Sequence, residues 1–213
     1  ANSTSGMGVD KSVSLGIYDV LVGNAESRDV LVKTRWGDVL PSNKALAGAG
    51  VELLSMEKWQ FLLKDALSQV AEDYDYILID CPTAYNAATV AALGAADEII
   101  IPVELEGFSL HGAGEIRSQV ANMRTVNPRL RIAGALITKR RGTRIQEAAE
   151  QALRVSGIPA FEAAIPLRAS VPASMSNLNA SKTLMGYAPK DAATKAYHDF
   201  TREYLSKGGA VNG

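Results

Sequence analysis

The sequence predicts an α/β fold: a mostly parallel, twisted sheet flanked by helices. Strand-like and helix-like stretches alternate from about residue 57 to 165, the rhythm of βαβ crossovers. Tyr76-Ile77-Leu78-Ile79 is apolar or aromatic without polar alternation, the pattern of a strand buried on both faces. That run stops abruptly at Asp80-Cys81-Pro82, and in open parallel sheets ligands sit beyond the carboxyl ends of strands.

In chain order, residues 1–16 are rich in Gly and Ser and read as a loop. Ile17 to Leu21 is a helical turn or two. Val30 to Val32 reads as a short strand, Asp38 to Ser42 as another ending at Pro41, and Val51 to Leu54 as one more short apolar run. From Glu57 the period changes. Trp59, Leu62, Leu63, Ala66, Leu67 and Val70 recur at helical spacing and give one apolar face. The strand over residues 76–80 follows, then an Ala-rich helix from Asn86 to Ala95 and a second buried strand from Glu98 to Val103, with Pro102 ending its regular pairing. A helix over about 109–125 turns Leu110, Ala113, Ile116, Val120 and Met123 inward and stops at Asn127-Pro128. Leu130 to Ile137 is a third strand. A helix near 143–155 places Ile145, Ala148, Ala149, Ala152 and Leu153 on one face, and Ile158 to Ile165 is a fourth strand. Residues 168–189 read as a loop with at most a short helix. The last helix, about 190–206, faces Ala192, Ala193, Ala196, Tyr197, Phe200 and Tyr204 inward, and the tail frays from Lys207. No repeat, heptad run or second domain is visible, so residues 1–213 read as one domain.

Composition narrows the class. Hydrophobic residues at 47% and charged residues at 21% suit a globular protein with one substantial core. No apolar run approaches the ~20 residues of a membrane span. Cys81 is the one cysteine, which excludes a disulfide framework within the chain, and with no visible signal peptide the expected compartment is the cytoplasm. No His stands near Cys81 in sequence to activate it, His111 and His198 lie far apart, and no catalytic triad is visible. The net charge of −1 hides an asymmetry. Residues 1–109 carry 7 Lys+Arg against 16 Asp+Glu, and residues 110–213 carry 15 against 7. A basic C-terminal half points to a polyanionic partner, nucleic acid ahead of membrane lipid; scattered solvated charge is the competing reading.

Two features stand out as candidate sites. A carboxylate at the end of a buried strand is costly unless partnered. Asp80 therefore suits water-mediated contact with a magnesium ion, as in P-loop nucleotidases, and equally suits a cap on the next turn. Lys139, Arg140, Arg141 and Arg144 form the densest basic cluster, at a strand-to-helix loop. Four cations there repel one another, and a phosphate backbone would relieve that cost. Arg168 and Lys182 extend the patch, and nothing in it reads bases.

An ordered set of segments resembles the ParA/Soj side of the ParA/MinD deviant-Walker ATPases over nearly the whole chain. Asn2-Ser3-Thr4-Ser5-Gly6-Met7-Gly8-Val9 is similar to the stretch after that family's second-strand Asp-Pro-Gln, and Gly16 to Leu21 to its next helix. Leu40-Pro41-Ser42-Asn43, with Leu46 to Ala49 and Glu52-Leu53, is a further match. Tyr74 to Pro82 resembles the Walker B strand and is the most specific piece. Ala95 to Val103 follows in the expected place, and Tyr187-Ala188-Pro189-Lys190 with Ala196-Tyr197 is similar to a ParA-like C-terminal helix.

The resemblance implies a deviant-Walker P-loop NTPase-like fold, ATP and magnesium as cofactors, and a nucleotide site using Asp80 and Pro82. Thr138 and Pro166 with Leu167 match positions that frame the adenine. It further implies an ATP-dependent homodimer, non-specific DNA binding, for which the basic cluster Lys139, Arg140, Arg141 and Arg144 with Arg168 offers the contacts, a centromere-binding ParB-like partner, and a cytoplasmic, nucleoid-associated protein. A MinD-like membrane-surface role fits less well. Lys195, Arg202 and Lys207 are basic, but the last helix is Ala-rich and aromatic, as a core helix is. Three departures qualify the match. No K-G-G-x-x-K-S/T sequence occurs in the 213 residues, Leu167-Arg168 stand where relatives often carry Arg and Asn, and Thr83-Ala84 replace a commoner Pro-Ser. The expectation is a fold missing its first strand, P-loop, first helix and second strand, with a nucleotide site at best half present. Such a chain binds ATP weakly, does not hydrolyse it, exposes an apolar flank along Tyr76–Ile79 and tends to associate. The alternative is a non-enzymatic DNA-binding or dimerisation module derived from such a protein.

Overall fold

Short helices and one hairpin, rather than long periodic elements, build the first of two units, Ala1–Ala96; the second is Asp97–Gly213. The computed structural model describes residues 2–10, 12–48, 50–82, 84–176 and 183–208; of Asn2 and Ala47 only the backbone is described. Thr83 and Lys182, named above, lie outside the described residues.

In the first unit, α1 (Asn2–Gly6), α2 (Ile17–Leu21) and α3 (Ser27–Val30) precede a hairpin of β1 (Val32–Thr34) and β2 (Gly37–Val39). The strands are antiparallel, with Val32 opposite Val39, and Gly37 closes the turn at φ +128°, a conformation open to glycine. Next come α4 (Ala45–Gly48), α5 (Gly50–Ser55), a 3-10 turn at Trp59–Phe61, α6 (Leu62–Ser68), a second 3-10 turn at Ala71–Asp73, and α7 (Ala87–Ala95), capped by the Asn86 side chain. Val20, Leu21, Val30, Leu53 and Ala66 form the core. Ser27 is fully buried and ties α3 to α6: its hydroxyl donates to the Ala66 carbonyl at 2.6 Å and its N–H to Gln69 Oε1 at 2.7 Å.

Two sequence expectations change here. The opening loop contains the helix α1, and Val30, read as the start of a strand, ends α3, with β1 beginning at Val32. The apolar run Val51–Leu54, given no element by the sequence, is helical. Its Leu53 is buried while Val51 and Leu54 face solvent, an amphipathic pattern too short to separate from a strand by periodicity.

The larger difference is Tyr76–Asp80. The sequence predicts a buried strand; the structure places the segment in no strand among the described residues, with Leu78 88% and Ile77 39% exposed. An apolar run becomes a buried strand only where neighbouring strands take up its N–H and C=O groups, and no described segment of this unit forms a ladder with it. Its start is fixed by Tyr74, whose hydroxyl donates to Asp38 Oδ2 at 2.6 Å. That bond, helped by partial desolvation, pushes the phenol up to about 12.

The second unit contains β3 (Glu98–Glu104), a 3-10 turn at Leu105–Gly107, α8 (Leu110–Met123), β4 (Arg131–Arg140), α9 (Arg144–Val155), β5 (Ala160–Pro166), α10 (Ser170–Ser174), α11 (Leu184–Tyr187) and α12 (Ala192–Ser206). The sheet order is β3-β4-β5, all parallel, with β4 central. It is covered on both faces. Ala135, Ile137 and Val103 pack with Ala113, Leu153 and Ile158 from the α8 and α9 side. Leu136, Phe161 and Ile165 pack with Ala193, Phe200 and Tyr204 from α12. Alternation along β4 sends Ala135 and Ile137 one way and Leu136 the other, as a period of two requires. Ser109, Thr143 and Asp191 each accept a backbone N–H as helix N-caps.

In α9 the buried stripe is Gln146, Ala149 and Leu153, so Ile145, expected inward, is 75% exposed. Leu110 at the start of α8 is likewise exposed. Pairing of β3 runs through Pro102 to Glu104 instead of ending at the proline, and residues 168–189, expected to hold at most a short helix, contain two, α10 and α11. The predicted strand and helix order from residue 98 to 206 is otherwise the one observed.

Candidate functional site

The carboxyl ends of three parallel strands meet at one edge of the second unit. Glu104 of β3 lies opposite Thr138 of β4, and Arg140 opposite Pro166 of β5. Helix-covered parallel sheets bind ligands at this edge. Thr138, half-buried, donates its hydroxyl to the Val103 carbonyl at 3.3 Å and keeps its oxygen lone pairs. Pro166 is half-buried. Leu167 exposes its side chain while its N–H donates to the Arg140 carbonyl at 3.0 Å. An open groove of ≈ 540 Å³ beside these residues is lined by Arg140, Gly142, Ala164, Pro166, Lys195 and Asp199, among others.

Thr138, Lys139, Arg140, Pro166 and Leu167 are therefore brought together, with Arg141 on the loop that follows β4 and Arg144 at the start of α9. The end of β4 and the loop after it turn through two left-handed positions, Lys139 at φ 53° and Gly142 at φ 73°. A non-glycine residue there costs on the order of 1 kcal/mol. Gln146, 2% exposed, holds it in place: its Oε1 accepts the N–H of Arg141 (2.7 Å) and of Gly142 (3.2 Å), and its Nε2 reaches the Lys139 carbonyl and Glu106 Oε1, both at 3.4 Å. Sequence reasoning passed over Gln146. Its signal was present in Thr143-x-x-Gln146, the spacing of a capping box.

The cations of the loop are met by carboxylates. Lys139 pairs with Glu104 at 2.6 Å, Arg141 with Glu106 at 3.4 Å, and Arg140 with Glu150 at 3.1 Å. Arg144 is exposed and has no carboxylate in ion-pair range among the described residues. Arg168 pairs with Asp191 at 3.6 Å. The Asp191 carboxyl is held below its usual value first by the Ala193 N–H it accepts and further by Arg168. The mutual repulsion read from the sequence is thus largely offset within the unit.

In the first unit Asp80 is exposed, and its Oδ2 accepts the N–H of Ser3, in α1, at 3.2 Å. Pro82, beyond it, is exposed. No group of three or more His, Cys, Asp or Glu that could hold a metal occurs among the described residues. A solvent-facing carboxylate with one oxygen engaged fits a magnesium ion that keeps most of its waters, and does not fit an all-protein cage. Cys81 is also exposed; partial desolvation first, and then the Asp80 charge, raise its thiol, which is opposite to what a nucleophile needs.

A family profile described as an AAA domain matches residues 1–132. The chromosome partitioning protein ParA of Caulobacter vibrioides is 32% identical over 97% of this chain and 79% of its own length. The sporulation initiation inhibitor protein Soj of Bacillus subtilis is 32% identical over 97% of this chain and 83% of its own. Among solved structures, cobyrinic acid a,c-diamide synthase of Mycobacterium smegmatis superposes with a TM-score of 0.82 at 26% identity, covering 98% of this chain and 79% of that one; it has also been solved with ADP and magnesium. None of the described helices is long and apolar enough to cross a membrane. With the parallel sheet, the helices on both its faces and these relatives, the chain belongs to the ParA/Soj family of partitioning ATPases.

Proposed function

We propose that residues 1–213 form one ParA-like ATPase domain acting in chromosome or plasmid partitioning, in the cytoplasm and at the nucleoid. It would dimerise with ATP, bind DNA without sequence preference and meet a centromere-binding, ParB-like partner. One observation carries the reading: Asp80 presents a solvent-facing carboxylate directly after Tyr76–Ile79, within the segment most similar to a Walker B strand. In this reading Asp80 holds magnesium through water, Pro82 sets the chain direction after it, and Thr138, Pro166 and Leu167 flank the adenine. Magnesium-ATP supplies the electrophilic γ-phosphoryl group. Lys139, Arg140, Arg141, Arg144 and Arg168 contact phosphates.

The 213 residues contain no glycine-rich, lysine-bearing phosphate loop. Purified as such, they are expected neither to bind ATP tightly nor to turn it over. Steady ATP hydrolysis by this polypeptide, abolished by Asp80→Asn, would refute that expectation. A second reading, a DNA-binding or dimerisation module without catalysis, rests on the basic cluster Lys139, Arg140, Arg141 and Arg144. Filter binding of duplex DNA across a salt series separates the two. Binding that requires ATP supports the ATPase; binding that falls steeply with salt and ignores ATP supports the module.

A further inference from the structure

The ion pairs around the β4–α9 loop are not equivalent. Glu150 is 16% exposed and shared between Arg140 and Arg154, so the Arg140 pair, though Arg140 itself is 46% exposed, rests on the least solvated acid of the three. Lys139 with Glu104 and Arg141 with Glu106 lie at the surface, all four side chains about half exposed. Arg144 stands beside them with no such partner among the described residues. Gln146 fixes the loop backbone, and through Glu106 it fixes one of the two exchangeable carboxylates as well. The loop therefore cannot swing free of its acids, whereas its two half-exposed cations can change partner without unfolding.

We infer that Glu104 and Glu106 are internal competitors for the phosphate-binding cations. They occupy Lys139 and Arg141 in the free chain, and they set how weakly the basic loop holds a nucleic-acid backbone. The inference rests on the DNA-binding reading above. Four cations against Glu104, Glu106 and a Glu150 that is shared with Arg154 leave the loop net positive. Each phosphate that takes Lys139 or Arg141 must displace a carboxylate, and that carboxylate then sits uncompensated beside the incoming polyanion. This keeps contact with DNA loose and reversible, and gives the two acids a purpose that fold stability does not supply, since exposed ion pairs stabilise little.

The test measures binding of a fluorescein-labelled random-sequence DNA duplex by anisotropy, with and without ATP, over a salt series. The variants are Glu104→Gln, Glu106→Gln and the double variant, with Glu115→Gln as control. Glutamine keeps the acceptor oxygen for Lys139 and for Gln146, and melting curves verify that each variant folds. Glu115 lies on α8 and pairs with His111, so its loss changes total charge equally but frees no loop cation. Each loop variant is expected to tighten binding by about 1.5- to 5-fold, as loss of one exposed pair allows. The double variant should gain roughly the product, with a steeper log–log salt dependence by about 1 to 2. Glu115→Gln should change little. Wild-type affinity retained by a folded double variant, or an equal gain in Glu115→Gln, overturns the inference while leaving DNA binding intact. Absence of binding by wild type and double variant alike, at low salt and up to about millimolar protein, removes the DNA-binding reading and the inference with it. Binding by the double variant alone supports both.

Discussion

Replacing Gly134 with alanine probes how tightly the central strand is packed. Gly134 lies in β4, opposite Ile100 and just past a register shift, with Ile99 opposite Ile132. A Cβ at this position would stand 2.8 Å from Phe161 Cε2, 3.1 Å from Cδ2 and 3.2 Å from Cζ. Carbon contacts are comfortable at about 3.5–4.0 Å. The Phe161 ring has little room to retreat. It is 1% exposed, meets Phe200 edge-on at a centroid distance of 4.9 Å and Tyr204 at 6.5 Å, and carries the Lys207 ammonium 5.3 Å from its centre. Overpacking of this kind costs about 1–3 kcal/mol, against about 0.5–1 kcal/mol recovered by stiffening a strand glycine. The expected net loss is about 1–2 kcal/mol. Hydrogen–deuterium exchange of β4 and β5 peptides reads it within the second unit, as protection roughly 5- to 30-fold weaker. Phe161→Leu, combined with Gly134→Ala, should make room, so the double variant loses less than the sum of the singles by at least about 0.5 kcal/mol. Gly134→Ala at wild-type protection, or strict additivity with Phe161→Leu, would show that the ring does not oppose a side chain here.

Two further expectations follow from particular contacts. Gly94→Ala in α7 would set a Cβ 2.5 Å from the Gln60 carbonyl oxygen, a backbone atom that cannot rotate away. A loss of about 2–3 kcal/mol in urea unfolding, followed by tryptophan fluorescence, is expected despite the better helix propensity of alanine; a neutral result contradicts the packing of α7 on the Trp59–Phe61 turn. Glu203 of α12 accepts the N–H groups of Glu162 and Ala163, both at 2.9 Å, and the Lys207 ammonium at 2.6 Å. Partial burial alone would raise its carboxyl, but these donors outweigh burial and hold it below its ordinary 4.5. With the folded value depressed, the unfolded chain takes up the proton first. The stabilisation is complete above about pH 4.5 and lost as pH falls through the lower folded value. Glu203→Gln should therefore cost about 2 kcal/mol near neutral pH and flatten the acid limb of a stability–pH curve. Parallel curves for variant and wild type would contradict the sign.

Residues 98–166 and the last helix were legible because each element there carries its own period, whereas α10 and α11 are too short to show one. The apolar faces of β3, β4 and β5 and the stripe of α12 need no information from elsewhere in the chain. The first unit was less legible because its order depends on distant partners. The helix α1 is built of Ser, Thr and Gly, and the bonds that fix it come from afar: the Ser3 N–H donates to Asp80, and the buried Thr4 hydroxyl accepts the Ser42 N–H. Tyr76–Ile79 shows the converse. Its residues have every local mark of an inner strand, yet strand pairing belongs to neighbours and not to the run itself. At the site, charge density located Lys139–Arg144, while the acids that answer those charges sit on other elements and leave no local trace.

Gln146 shows why a polar residue stands on the inward stripe of α9. The position faces two backbone N–H groups, a backbone carbonyl and the carboxylate of Glu106, so it must accept and donate at once. A methionine there would leave the Arg141 and Gly142 N–H groups unsatisfied at a buried site, at about 1–3 kcal/mol each. A glutamate would accept both, but it could not donate to the Lys139 carbonyl, and it would place a second negative charge against Glu106 in a poorly solvated corner. A neutral amide meets all four groups without adding charge. It thereby holds Lys139 and Gly142 in their left-handed turns and keeps the acids of β3 and its following turn beside the cations of the loop, so that the register of one side chain decides which charges the loop presents to a partner.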